Sequence, residues 1–250
     1  METSIPTTAN ALKSLLRADF TTQWRNRRSV IMSLIVPIII LVSWKGLVTV
    51  FGGPFILANS IGIGLIASGL MGYTNAIARD RDKGIFQRLR VGPLQPWTIV
   101  ASRLIVQLVL ILMITTAVFV GGNYFDKITL SPVGYAVSYL TALVGGAVYL
   151  GLGQVIVGRT TNPETVNSTT RLVYVAFLMV GMFAEFGAKQ WPEITDTLRW
   201  SPYGTVKSIL AAGMEPSNWD NHASMALLVT VLYTLVFSVL GIKWFKWNTK

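Results

Sequence analysis

The chain has 250 residues, 52% of them hydrophobic and 13% charged, with a mean hydropathy of +0.54 and a formal net charge of +10. That balance excludes an ordinary soluble domain, and the lack of any cysteine excludes disulfides, cysteine-ligated zinc and thiol catalysis. The basic residues flank apolar runs instead of forming a basic domain, which speaks for membrane orientation signals and against nucleic acid.

In chain order, the first element is an amphipathic helix over about 8–27. Leu12, Leu16, Phe20 and Trp24 recur at i, i+4 spacing with Leu15 beside them, while Lys13, Arg17 and Arg25 sit on the flank. Such a helix lies in the membrane interface, or else packs as a soluble helix on a neighbour. It is not expected to be a cleavable signal peptide, because no small-residue cleavage site follows its polar stretch. The chain therefore divides into an interfacial helix at 1–28 and a spanning domain at 29–250.

Six apolar runs follow, at 29–50, 55–78, 104–122, 133–157, 172–186 and 223–242. Each approaches the roughly 20 residues needed to cross a hydrocarbon core about 30 Å thick. Run two carries Ser60, Gly64, Ser68 and Gly72 at four-residue spacing, and run four has Ala142, Gly146 and Gly153. Small-residue ridges let helix backbones approach closely in lipid, either within one chain or between subunits.

Between runs two and three lies a dense charged block, 79–97. Ile85, Phe86 and Leu89 share one face of a helix about two turns long, with Lys83, Gln87, Arg88 and Arg90 around them. Gly84 breaks the preceding helix, and Pro93 and Pro96 prevent continuation. So short a helix is marginal alone and requires a partner or tight packing.

Glu185 is the only acid inside an apolar run. It marks a partner or pathway, or else escapes to the interface near its helix end. Lys45 marks the end of run one. The long connection 187–222 holds Ser201-Pro202, an N-cap followed by a first-turn proline, then an apolar face of Val206, Ile209 and Leu210, with Gly213 as a stop. A short re-entrant helix is expected there. His222, the single histidine, has no partner at metal-ligand spacing, and no metal site is expected.

Sixteen of the 21 Lys and Arg residues fall in the termini and the alternate loops that contain 79–103 and 159–171. Only Lys45, Lys127, Lys189, Arg199 and Lys207 fall on the other side. The positive-inside rule then predicts an inner-membrane protein with both termini cytoplasmic. The sequon Asn167-Ser168-Thr169 falls on that cytoplasmic side and is a chance match.

The segment Arg79-Asp80-Arg81-Asp82-Lys83-Gly84-Ile85-Phe86-Gln87-Arg88-Leu89, followed by Pro93 and Trp97, resembles the E-R-E-x-G-T-L-x-x-L…P segment of ABC-2 type transport permeases. Asp80 and Asp82 stand where glutamates are usual, and Ile85 where Thr or Ser is common. A second stretch, Trp191-Pro192…Leu198-Arg199-Trp200-Ser201-Pro202-Tyr203…Ile209-Leu210, resembles the region before the last span of that family.

The resemblance implies an all-α, six-span permease of an ATP-binding-cassette exporter, paired with a second permease copy or a paralogue. The chain has no G-x-x-x-x-G-K-[ST] loop, so ATP and Mg would be held by a separate cytoplasmic ATPase subunit. By the resemblance Lys83, Ile85, Phe86, Arg88, Leu89 and Arg90 contact that subunit. Spans two and five line the route, which makes Asn59, Asn75, Tyr174, Phe177, Met182, Phe183 and Glu185 candidate path residues. An ion- or proton-coupled carrier is the alternative, but it calls for ionisable groups near the bilayer midplane.

Overall fold

The computed structural model describes residues 8–91, 96–187 and 190–245, and among these every regular element is helical. Pro93, Lys189, Lys246 and Lys250 lie outside the described residues, as do the side chains of Arg28, Arg90 and Trp97.

The amphipathic pattern becomes α1, Thr8–Arg25. After a one-residue break at Asn26 comes α2, Arg27–Ser43, whose body from Val30 onward is bent by 61° from α1. With 17 residues, α2 falls short of a full crossing on its own. A 3-10 turn (Lys45–Leu47) and α3 (Val48–Phe51) extend it.

The second apolar run is continuous from Gly53 to Asp82 but not uniform. It consists of α4 (Gly53–Leu65), a π-helical stretch (Ile66–Tyr73) and α5 (Thr74–Asp82). The wider π turn breaks the four-residue register that the Ser60–Gly64–Ser68–Gly72 ridge assumed. Gly84, at φ +66, closes α5 and turns the chain into α6, Ile85–Val91. A left-handed residue after a helix is the position where glycine avoids the Cβ penalty.

Three long helices follow: α7 (Pro96–Asp126), α8 (Pro132–Arg159) and α9 (Pro163–Phe186). Then come α10 (Pro192–Arg199), α11 (Pro202–Met214) and α12 (Asn221–Trp244). Their starts are written in short side chains. Ser131 accepts from Gly134 N at 3.0 Å, Asn162 from Glu164 N at 2.8 Å, Ser201 from Gly204 N at 3.1 Å and Asp220 from Ala223 N at 2.7 Å. The first three are followed by proline at the first helical position, where its missing N–H costs nothing.

Among the described residues, five helical segments are long and apolar enough to cross a membrane: Gly53–Asp82, Thr98–Asp126, Pro132–Arg159, Pro163–Glu185 and Asn221–Trp244. The bent α1–α2 pair makes a sixth if counted as one span. Helices begin earlier than the apolar runs suggest, since α9 starts nine residues before its run, at Pro163.

The Gly53–Asp82 segment is the mast of the bundle, with 78% of its apolar window buried, against 17% for α9 and for α12. Small residues seat its neighbours. A Cβ on Gly64 would lie 2.7 Å from both Pro37 of α2 and Ile114 of α7, and one on Gly69 would lie 3.1 Å from Tyr149 of α8. A Cβ on Gly153 of α8 would collide with Thr74 Oγ1. The small-residue positions Gly64, Gly69 and Gly153 thus serve packing inside the chain.

The predicted short helix after Ser201-Pro202 is α11. Val206, Ile209 and Leu210 are buried in it, and it packs on α4, α8 and α12. Gly213 does not stop the helix: it lies within α11, where an added Cβ would come 2.8 Å from Thr141 Oγ1, and Met214 is the last residue.

Candidate functional sites at the two ends of the bundle

At one end, α1, α5, α6 and the starts of α7 and α9 gather with the ends of α8 and α12. Asp19 sits on the inner face of α1 and is 8% exposed. Arg103 of α7 forms ion pairs with two carboxylates, Nε lying 3.1 Å from Asp19 Oδ1 and Nη1 2.7 Å from Asp80 Oδ2 of α5. The Ser102 hydroxyl donates to Asp19 Oδ2 at 2.5 Å. One guanidinium therefore ties together α1, α5 and α7. Burial pushes the Asp19 carboxyl above the usual carboxylate range, against the pull of Arg103 and Ser102.

Directly after Asp80 comes the second anchor of this end, Arg81. It is 1% exposed and donates to the carbonyls of Val157 (2.6 Å), Thr161 (3.2 Å) and Thr160. The Val157 carbonyl is in the last turn of α8 and those of Thr160 and Thr161 directly follow it, where intrahelical partners run out and positive charge is favoured. Beside them Arg159 stacks on the Trp244 ring, 4.7 Å from its centroid, joining the ends of α8 and α12.

The α6 helix stands on this base. Phe86 points inward, 1% exposed, with its ring edge-on to Phe245 at 5.9 Å. Ile85 and Leu89 are half-buried, whereas Lys83, Gln87 and Arg88 are exposed. The surface that α6 offers is therefore polar and basic, with its apolar residues directed to the bundle. On α1, Leu12 and Leu16 are half-buried, Phe20 and Trp24 are 37% and 58% exposed, and Arg25 is exposed. The apolar row divides because Ala11 and Asp19, not the leucines, face the bundle most fully.

At the opposite end, the candidate path residues mostly engage side chains of neighbouring helices. Asn59 is buried; its amide donates to the Phe55 carbonyl at 2.9 Å, and its Oδ1 accepts from the Tyr203 hydroxyl of α11 at 3.1 Å. Glu185 forms an ion pair with Lys207 of α11, whose ammonium sits 4.2 Å over the Phe55 ring. Of the two readings for this acid, a partner is what the structure provides. Asn75, nearer the α1 end, donates to Thr170 Oγ1 at 3.4 Å and links α5 to α9.

The α9 candidates separate into two groups. Tyr174 and Phe177 are half-buried, with Phe177 6.0 Å from Tyr149. Met182 and Phe183 are about half exposed and line, with Met179 and Trp191, an open apolar cavity of 340 Å³. His222 lies against Trp200 at 5.1 Å, and no cluster of metal ligands occurs among the described residues.

Sequence reasoning missed Asp19, Arg103, Arg81, Tyr203 and Lys207. A signal for Arg81 existed, since Tyr73, Ile77 and Arg81 recur at four-residue spacing and all three are buried. The others are paired over long sequence separations that periodicity does not report.

A model of the ABC-2 type transporter family matches residues 10–200 of this chain. The chain is also similar to a Bacillus subtilis (strain 168) protein named "Putative transport permease YvfS", with 23% identity over 244 residues, 93% of this chain and 96% of that protein.

Proposed function

Because the chain belongs to the ABC-2 type transporter family and is a multi-pass membrane transport permease, we propose that it is the membrane half of an exporter driven by a separate ATPase subunit. The ATPase docks on the α1–α6 end, which faces the cytoplasm together with both termini. Sixteen of the 21 basic residues fall on that side. ATP and Mg belong to the partner, since the chain has no phosphate-cradling loop.

The observation that carries this reading is the Asp19–Arg103–Asp80 bridge. A push on α6 passes into α5, and through Arg103 it reaches α1 and α7 together, as a rigid unit. Lys83, Gln87 and Arg88 form the contact with the ATPase. Ile85 and Leu89 contribute their exposed edges, and Phe86 holds α6 to the bundle.

Two permease copies, or this chain and a paralogue, enclose the route with α9 as one wall. Met179, Met182 and Phe183 give that wall an adaptable apolar surface. Asn59 with Tyr203, and Glu185 with Lys207, hold α11 across its outer mouth. A carrier coupled to protons or ions is not favoured, because the Glu185–Lys207 pair lies at a helix end.

The test is co-expression of the permease with its ATPase subunit. Replacing Lys83 and Arg88 by glutamate should abolish co-purification while the permease stays folded. Intact complex at wild-type yield would refute the docking surface.

A further inference from the structure

A cavity of 220 Å³ lies between α1, α5 and α7, at the α1 end of the bundle. Two of its lining side chains are buried polar groups with neither a hydrogen bond nor an ion pair among the described residues. The Tyr73 hydroxyl is on a residue 1% exposed, and the Gln107 Oε1 is on a residue 5% exposed. Buried polar atoms in folded proteins are nearly always hydrogen-bonded, so two orphans on one cavity point to something that fills it.

The charges around the cavity indicate what that is. Asp19 and Asp80 share the single guanidinium of Arg103, which leaves one negative charge over. Arg79 and Lys83 also line the cavity, are exposed at its rim, and form no ion pair among the described residues. The surplus is therefore positive. A ligand that suits all four groups carries an anion for Arg79, Lys83 and the Tyr73 O–H, and a hydrogen-bond donor for Gln107 Oε1. The neighbouring α1 exposes Phe20 and Trp24, side chains suited to the boundary between headgroups and acyl chains.

We propose that this cavity binds the phosphate of a membrane phospholipid whose headgroup bears an O–H or N–H donor, such as phosphatidylglycerol or phosphatidylethanolamine. Seated there, the lipid would wedge between the interfacial helix and the mast, beside the bridge that joins them. The inference does not depend on an ATPase partner, and it holds whichever face of the membrane this end occupies.

The experiment is thermal unfolding of the full chain in detergent, titrated with dioctanoyl forms of phosphatidylglycerol, phosphatidylethanolamine and phosphatidylcholine, and with glycerol phosphate. Phosphatidylcholine carries the same phosphate without a headgroup donor, and glycerol phosphate carries the anion without acyl chains. The first two lipids should protect at concentrations about tenfold lower than phosphatidylcholine, the scale of one hydrogen bond. Gln107→Leu should erase that preference, and Tyr73→Phe should weaken all three lipids by a similar factor. Both variants remove an orphaned polar atom while keeping an apolar frame. Arg79→Gln, at the exposed rim, should also weaken all three lipids and leaves the interior untouched. Equal protection by all three lipids in the wild type, or unchanged protection in all three variants, would overturn the proposal. Protection by glycerol phosphate equal to that by the lipids would assign the cavity to a free phosphate ester and likewise overturn it.

Discussion

Arg81 and Val157 stand 76 positions apart in the chain, yet the Arg81 guanidinium donates to the Val157 carbonyl at 2.6 Å. The same side chain serves the Thr160 and Thr161 carbonyls, so the last turn of α8 is closed by a residue of α5. Replacing Arg81 by alanine strands the buried Val157 carbonyl, at about 1–3 kcal/mol, while the Thr160 and Thr161 carbonyls lie nearer water. Arg81→Ala should lower the melting temperature sharply in detergent. Arg81→Lys should recover only part of the loss, because an ammonium lacks the planar fork. Full recovery with lysine would show that charge alone matters there.

The Asp19–Arg103 pair predicts an energetic coupling between α1 and α7. A double-mutant cycle with Asp19→Asn and Arg103→Met should give an interaction of about 0.5–3 kcal/mol, the range for directly contacting groups. Chemical unfolding followed by tryptophan fluorescence measures it. Additive effects would mean that α1 is held by its other contacts alone.

Within α6, the inward and outward faces should differ in what they contribute to stability. Phe86→Ala removes a buried ring set against Phe245 and should cost about 3–5 kcal/mol. Arg88→Gln, at an exposed position, should change stability by less than about 0.5 kcal/mol. Comparing the two melting curves tests which face of α6 looks inward.

At the opposite end, Lys207→Met leaves Glu185 without its counter-charge in a poorly hydrated site. The expected loss is about 3–5 kcal/mol, and the double variant Glu185→Gln with Lys207→Met should regain most of it. If the double variant melts no higher than the single one, the pair is not what holds α11 to α9.

Close packing between α5 and α8 can be probed in the same way. Gly153→Ala should destabilise by about 1–3 kcal/mol through overpacking against Thr74. Thr74→Ala, placed in the same chain, removes the colliding hydroxyl and should restore part of the stability. A Gly153→Ala protein that melts like the wild type would show that the helices give way easily.

Much of this architecture could be read from residue order. Apolar runs placed the long helices, Ser201-Pro202 placed α11, Gly84 set the start of α6 and Pro96 the start of α7. Those features depend on local chemistry: cap geometry, the missing N–H of proline, and the conformational freedom of glycine. The inward aim of Phe86 was not legible, because a two-turn amphipathic helix looks the same whether its apolar face meets its own bundle or another protein. Asp19 looked like one more polar residue on an amphipathic helix, and its partner Arg103 like one more positive charge near a span. Glu185 stood out as an acid in an apolar run, but Lys207, twenty-two residues later, belonged to a connection whose fold no period announces. The π stretch was hidden because periodicity arguments assume about 3.6 residues per turn throughout.

That π stretch gives the central helix a mechanical property. Its flanks are fastened, by Asn59 to Tyr203 toward one side and by Arg81 to the end of α8 toward the other. Between these fixings, Ile66–Tyr73 winds more loosely than an α-helix. Tightening the coil there by a single residue would twist one fastened half against the other by about 100°, the angle between successive α-helical residues. The helix thus stores torsional slack at mid-length, where a turn made below can be absorbed or handed upward without either clasp letting go.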